Sequence, residues 1–297
     1  MDRTRHERNL RISARCIATA ALSVGLLLIA AACGSKPASQ ESGGEMMRLP
    51  RLQAITPGPV SNALSRTDQG WRIASGHQWG YAAVIPFGGF ADAKGTVEVK
   101  LRVANGRLGI SLLTDRNEIL HEQFANPSEA GQTVTLPMGD AHVESVLFRS
   151  GAPQDTTTDA TIEAADYVVR VKPLAGAAPL QKMVKVDPLA TLDPGPPLRI
   201  VTGQKWGFAA QIPITLPSTG GLAFVRVHAR VMRGRVGIGT LDKSGAVAKG
   251  ESFYEESPAA TDYFVAIPAS STALLFRSDI GDKSEIVIED VTAFRIL

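Results

Sequence analysis

Trp79 and Trp206 stand at the same place in two copies of one segment. The first copy runs Trp71-Arg-Ile-Ala-Ser-Gly-His-Gln-Trp-Gly-Tyr-Ala-Ala-Val-Ile-Pro86. The second runs Leu198-Arg-Ile-Val-Thr-Gly-Gln-Lys-Trp-Gly-Phe-Ala-Ala-Gln-Ile-Pro213, and nine of the sixteen positions are identical. An indole can stack on the apolar C–H face of a sugar ring. It can also pack into a core or cover a sheet edge, which is the more ordinary role for so large a residue. Arg149 and Arg277 recur in the same way, in Leu147-Phe148-Arg149-Ser150 and Leu275-Phe276-Arg277-Ser278. If each Phe points inward, alternation along a strand sends the Arg to the opposite face. There its fork of donors suits sugar hydroxyls or carboxylates, or simply a cross-strand acid. Trp79, Arg149, Trp206 and Arg277 are therefore the candidate ligand-binding residues.

The remaining chemistry-bearing residues form no reactive constellation. The only cysteines are Cys16 and Cys33, and no Gly-x-Ser-x-Gly elbow is present. His77, His121, His142 and His228 include no pair at metal-ligand spacing. Asp115 and Asp242 fall at matching places in the two copies, but neither lies in an acidic loop with calcium spacing. Glu255-Glu256 and Asp140 could be imagined as glycosidase carboxylates. However, the acidic pair has no counterpart in the first copy, where Asn126-Pro127 lies nearby. No catalytic residue, metal site or cofactor is expected, and the chain is read as a non-enzyme.

These residues must be positioned by strands. Val97-Glu-Val-Lys-Leu-Arg-Val103 alternates apolar and polar side chains, and so does Val225-Arg-Val-His-Ala-Arg-Val231. Each run meets a Gly-containing turn, Asn105-Gly106 or Arg233-Gly234, and then a second β-rich run, which is a hairpin signal. Shorter strands follow in both copies. The offset between copies stays near 127 residues, the length of a whole domain. No helical period is convincing beyond the first thirty residues. The fold expected is all-β: two tandem antiparallel β-sandwich domains, jelly-roll-like, each able to fold alone.

The N-terminus supplies an address. Arg3, Arg5, Arg8, Arg11 and Arg15 precede an apolar stretch that ends Ala30-Ala31-Ala32-Cys33-Gly34. That stretch is short for a membrane span and suits a signal-peptide core. An ordinary cleavage site or a short uncleaved anchor are the other readings. Loss of residues 1–32 takes five arginines and two acids from a chain of 31 basic and 29 acidic residues, so the mature net charge is −1. No basic stripe with interleaved aromatics exists, which argues against nucleic acid as a partner. Residues 33–65, rich in Gly, Ser, Pro and Gln, read as a flexible tether. The first sandwich is assigned to 66–175, a Pro-rich linker to 176–197 with a possible strand at Met183–Val186, and the second sandwich to 198–297.

Small residues ending at Cys33 resemble the lipobox of bacterial lipoproteins, with Ala30 where Leu is usual. That resemblance implies cleavage before Cys33, its lipidation, and a lipid-anchored place in the cell envelope. Gly34 rather than Asp after the cysteine implies the outer membrane if the host has one. The Gly-x-x-Trp-Gly, the alternating strands and the late Leu-Phe-Arg strand resemble galactose-binding-like jelly rolls, found as carbohydrate-binding modules. The likeness covers about 70–175 and 198–297 and implies a polysaccharide ligand. A structural lipoprotein that docks on another envelope protein is the alternative.

Overall fold

The computed structural model describes residues 43–60, 63–216, 221–248 and 251–297. The expected signal segment and Cys33 lie outside the described residues. The first repeat contains β1 (Glu45–Pro50), β2 (Thr56–Pro57), β3 (Ala63–Thr67), β4 (Gly70–Ser75), β5 (Tyr81–Pro86), β6 (Thr96–Asn105), β7 (Leu108–Thr114), β8 (Ile119–Ala125), β9 (Gln132–Pro137), β10 (Val143–Ser150) and β11 (Thr158–Pro173). The second contains β12 (Val184–Lys185), β13 (Thr191–Asp193), β14 (Leu198–Val201), β15 (Phe208–Pro213), β16 (Ala223–Arg233), β17 (Arg235–Asp242), β18 (Ser252–Glu255), β19 (Thr261–Ile267), β20 (Ser271–Ser278) and β21 (Glu285–Ile296).

The all-β expectation holds, and every pairing is antiparallel. One sheet of the first repeat runs β2-β5-β10-β7-β8, and its counterpart runs β12-β15-β20-β17-β18. The facing layers are β3-β4-β11-β6-β9 and β13-β14-β21-β16-β19. Alternation builds the cores. Val97, Val99, Leu101 and Val103 of β6 turn inward against Ile110 and Leu112 of β7 and Phe148 of β10. In the second sandwich Val225, Val227, Ala229 and Val231 meet Val236, Ile238 and Phe276.

The turns at Gly106 and Gly234 do not close hairpins. β6 pairs with β11 and β9, whereas β7 pairs with β10 and β8. The chain instead crosses from one sheet to the other, because both strands must present apolar faces to the same core. Both glycines are left-handed, at φ +73° and +72°. A buried hydroxyl fixes each corner: Thr158 Oγ1 donates to the Arg107 carbonyl at 3.0 Å, and Ser284 Oγ donates to the Arg235 carbonyl at 2.8 Å.

Much of the expected tether, from residue 43 onward, is built into the sheets. β1 pairs along β11 from Glu45 to Pro50, and Leu49 is fully buried there. β2 then joins the edge of β5. The linker behaves likewise, with β12 pairing to β15 and β13 to β14. These stretches are equivalent beginnings of the two repeats. Leu52–Ala54 and Leu180–Lys182 form matching 3-10 turns, closed by Ile55 N–H to Leu52 O and Met183 N–H to Leu180 O. Gly and Pro fit around β2, β12 and β13 because these strands are only two or three residues long and lie at edges, where missing donors cost little.

The repeats also share a strand. Val171, Lys172 and Pro173 at the end of β11 pair with Ile296, Arg295 and Phe294 of β21, as β1 pairs with β11 itself. Phe224, Phe264, Ala266, Phe294 and Ile296 of the second repeat belong to the core of the first. Phe90 meets Phe224 edge-on at 5.9 Å, and Phe224 stacks on Phe294 at 5.3 Å. Autonomy of each repeat is therefore not expected from this architecture. A fragment 66–175 loses β1, β2 and Leu49, and a fragment 198–297 loses the β11 partner of β21 and uncovers Phe224. Expressed alone, neither should show a cooperative thermal transition, whereas residues 43–297 should melt in one. A cooperative melt of either fragment near the temperature of the longer chain would refute the shared core.

Candidate functional site

Trp79 and Trp206 lie on the loops that join β4 to β5 and β14 to β15. They are 47% and 49% exposed, so the expected core role does not hold. Both adopt a left-handed backbone, φ +61° and +63°. For a residue with a Cβ this conformation costs about 1–2 kcal/mol. The turn around each is pinned in the same way. Trp79 N–H donates to the Ser150 carbonyl and Trp206 N–H to the Ser278 carbonyl, both at 2.7 Å. Gly80 N–H closes on His77 O, and Gly207 N–H on Gln204 O.

Each indole is framed by charge and aromatics. The Arg149 guanidinium lies 4.9 Å from the Trp79 ring centre, and Arg277 lies 4.9 Å from that of Trp206. Phe124 meets Trp79 edge-on at 5.9 Å, and Phe253 meets Trp206 edge-on at 5.8 Å. A second arginine caps each phenylalanine, Arg107 at 4.0 Å and Arg235 at 5.1 Å. Arg149 makes a two-pronged hydrogen-bonded pair with Glu122, and Arg277 makes the same pair with Glu251. Glu122 raises the Arg149 guanidinium above its ordinary value by accepting these bonds. The pair holds the cation over the indole ring. The arginines therefore do reach the face opposite Phe148 and Phe276, but an acid of the same protein already engages their forks.

The structure thus brings together the four residues expected from sequence, two in each repeat. It adds Glu122, Phe124, Glu251 and Phe253, which sequence reasoning missed. The signal was present: Glu122-Gln-Phe124 answers Glu251-Ser-Phe253 at an offset of 129 residues, two more than the offset around the tryptophans. Gly109 and Gly237 make the packing possible. A Cβ on Gly109 would lie 2.8 Å from Glu122 Oε1 and 2.9 Å from the Phe124 ring, and one on Gly237 would lie 2.6 Å from the Phe253 ring. Beside Trp206 a cleft of about 310 Å³ opens, lined by Val186, Asp187, Pro188, Gln204, Gly207 and Phe208.

Other sequence candidates disperse. Glu255 pairs with Arg235, Glu256 Oε1 accepts the Gly234 N–H at 2.7 Å, and Asp140 pairs with Lys94 in solvent. Asp242 matches Thr114 and not Asp115. Each caps its turn, Asp242 through Ser244 and Ala246 N–H and Thr114 through Arg116 and Glu118 N–H. Among the described residues no three His, Cys, Asp or Glu side chains converge as metal ligands, and no helix is long and apolar enough to cross a membrane.

No protein-family model and no curated protein matches the chain. Among solved structures it is similar to the CBM22-1–CBM22-2 tandem domain of Xyn10C from Paenibacillus barcinonensis, at 7% identity over 87% of this chain and 100% of that one, TM-score 0.30. It is similar to the tandem CBM51 modules of Sp3GH98, the family 98 glycoside hydrolase from Streptococcus pneumoniae SP3-BS71, at 10% identity over 84% and 99%, TM-score 0.26. It is similar also to the fucolectin from Morone saxatilis serum, at 6% identity over 86% and 96%, TM-score 0.24. Overlaps this loose say nothing about a ligand.

The Arg–Glu pairs are mostly buried, with the Arg277 and Glu251 side chains 15% and 10% exposed. Glu251→Gln leaves a half-desolvated cation and should cost about 2–4 kcal/mol, while the double change Glu251→Leu/Arg277→Met should cost much less. Denaturant melts of the three proteins measure this, and equal losses in single and double variants would show that the pair does not position the cation.

Proposed function

We propose that the protein is a non-catalytic glycan-binding lipoprotein of the cell envelope, anchored through Cys33, with one sugar-stacking platform in each repeat. One observation carries the reading: both repeats hold a half-exposed tryptophan in a left-handed turn that glycine would occupy at lower cost. Strain of this kind persists where it serves a site. The indole cannot be explained by burial, since about half of it stays in water. The cation against each ring is held in place by Glu122 or Glu251, and a rigid, half-exposed indole suits the apolar face of a sugar ring. The basic, apolar, Ala-Ala-Ala-Cys33 order supports the anchor.

Trp79→Gly and Trp206→Gly test the platform. Glycine removes the indole and relaxes the backbone, so the melting temperature should stay within a few degrees of the parent. Retention on a panel of immobilised polysaccharides should fall for each single variant and vanish for the double. If the double variant is retained as well as the parent on every polysaccharide that the parent binds, the platform reading is wrong.

The anchor is tested by feeding cells an alkynyl fatty acid. Label should appear on the wild-type protein and be absent from Cys33→Ser. Equal label on both would remove lipidation from the proposal.

A further inference from the structure

The two platforms are built alike but carry different charge. Arg235, in the second repeat, is neutralised on both sides. Its guanidinium lies 3.3 Å from Glu255 and 2.9 Å from Asp279. Arg107 is its counterpart: each follows the left-handed glycine of the sheet crossing, and each caps the phenylalanine that meets the tryptophan. The register fixes what replaces the two acids. Arg235 pairs with Glu255 across β17 and β18, and Leu108 pairs with Ala125 across β7 and β8, so Asn126 stands opposite Arg107. Ser278 matches Ser150, so Gly151 takes the place of Asp279. Both counter-ions are gone from the first repeat. Among the described residues no carboxylate pairs with the Arg107 guanidinium, which rests on the Phe124 ring at 4.0 Å and is exposed. Gly151 also keeps room for the ring beneath it, since a Cβ there would stand 2.6 Å from Phe124.

We infer that the first platform takes an acidic sugar, a ring bearing a carboxylate. This rests on the glycan reading above and names its ligand class. A uronate ring on Trp79 would place its carboxylate toward the fork of Arg107. That cation is already desolvated on one face by Phe124 and loses no internal partner on binding. In the second repeat the same carboxylate would meet Glu255 and Asp279, and like charges repel it.

Titration calorimetry on the chain from Gly34 onward separates the possibilities. The probes are oligogalacturonate, its methyl ester, which keeps the rings and removes the charge, and neutral xylo- and cello-oligosaccharides. The acid should bind at least about tenfold more tightly than the ester, with affinity falling as salt rises. Arg107→Gln should abolish that preference. Asn126→Glu, which restores one counter-ion, should do the same without cutting into the core. Glu255→Asn/Asp279→Asn should create a second acid-preferring site at Arg235. If neutral probes bind in a tryptophan-dependent way and the acid binds no better than its ester, the charge assignment falls while the platform reading stands. If Arg107→Gln leaves the acid preference intact, the assignment falls too. If no probe binds, both fall.

Discussion

Strand β11 has to satisfy neighbours on both edges along sixteen residues, and this constraint shapes everything around it. On one edge it pairs first with β4 and then with β1. On the other it pairs with β6 and then, over its last three residues, with β21. Buried backbone amides and carbonyls without partners cost free energy comparable to a lost hydrogen bond. The end of β11 therefore could not be left bare between two sandwiches. The second repeat begins on it, and the aromatic residues of β16, β19 and β21 close over the junction.

The site inherits its order from the same economy of partners. β10 and β20 carry Arg149 and Arg277, and their terminal carbonyls, on Ser150 and Ser278, receive the tryptophan N–H of the neighbouring loop. One strand end thus sets both the cation and the indole. A glycine on the strand between the cation and the acid, Gly109 of β7 or Gly237 of β17, leaves space for the acid that locks the cation. None of these parts needs a moving segment to come together, so the arrangement is preformed.

Much of this was legible in the chain and some was not. The alternation in β6 and β16 is visible because each strand has one face in a core and the other in water. β7 is buried on both faces, and its apolar run gave a strand but no face. The Asn105-Gly106 turn read as a hairpin because local chemistry specifies a reversal and not the sheet it leads to. β2 was lost in a composition that resembles a tether, since an edge strand of two residues leaves almost no period to detect. Glu122 and Glu251 were missed because their offset differs by two residues from that of the tryptophans. The left-handed turns could not be foreseen at all, because nothing in a Trp-Gly pair says that the tryptophan, and not the glycine, takes the positive φ.

The shared strand also changes how the two platforms would act together. Modules joined by a flexible linker engage a polymer with an effective concentration that the linker dilutes. Here the linker is replaced by paired backbone, so the spacing of the platforms is set by the sheet and varies little. A chain whose repeat matches that spacing would be held at two points with little further loss of freedom, and one out of phase would be held at only one. The fused sheet would then act as a ruler, reading the periodicity of a polymer through its avidity and independently of how well any single ring fits.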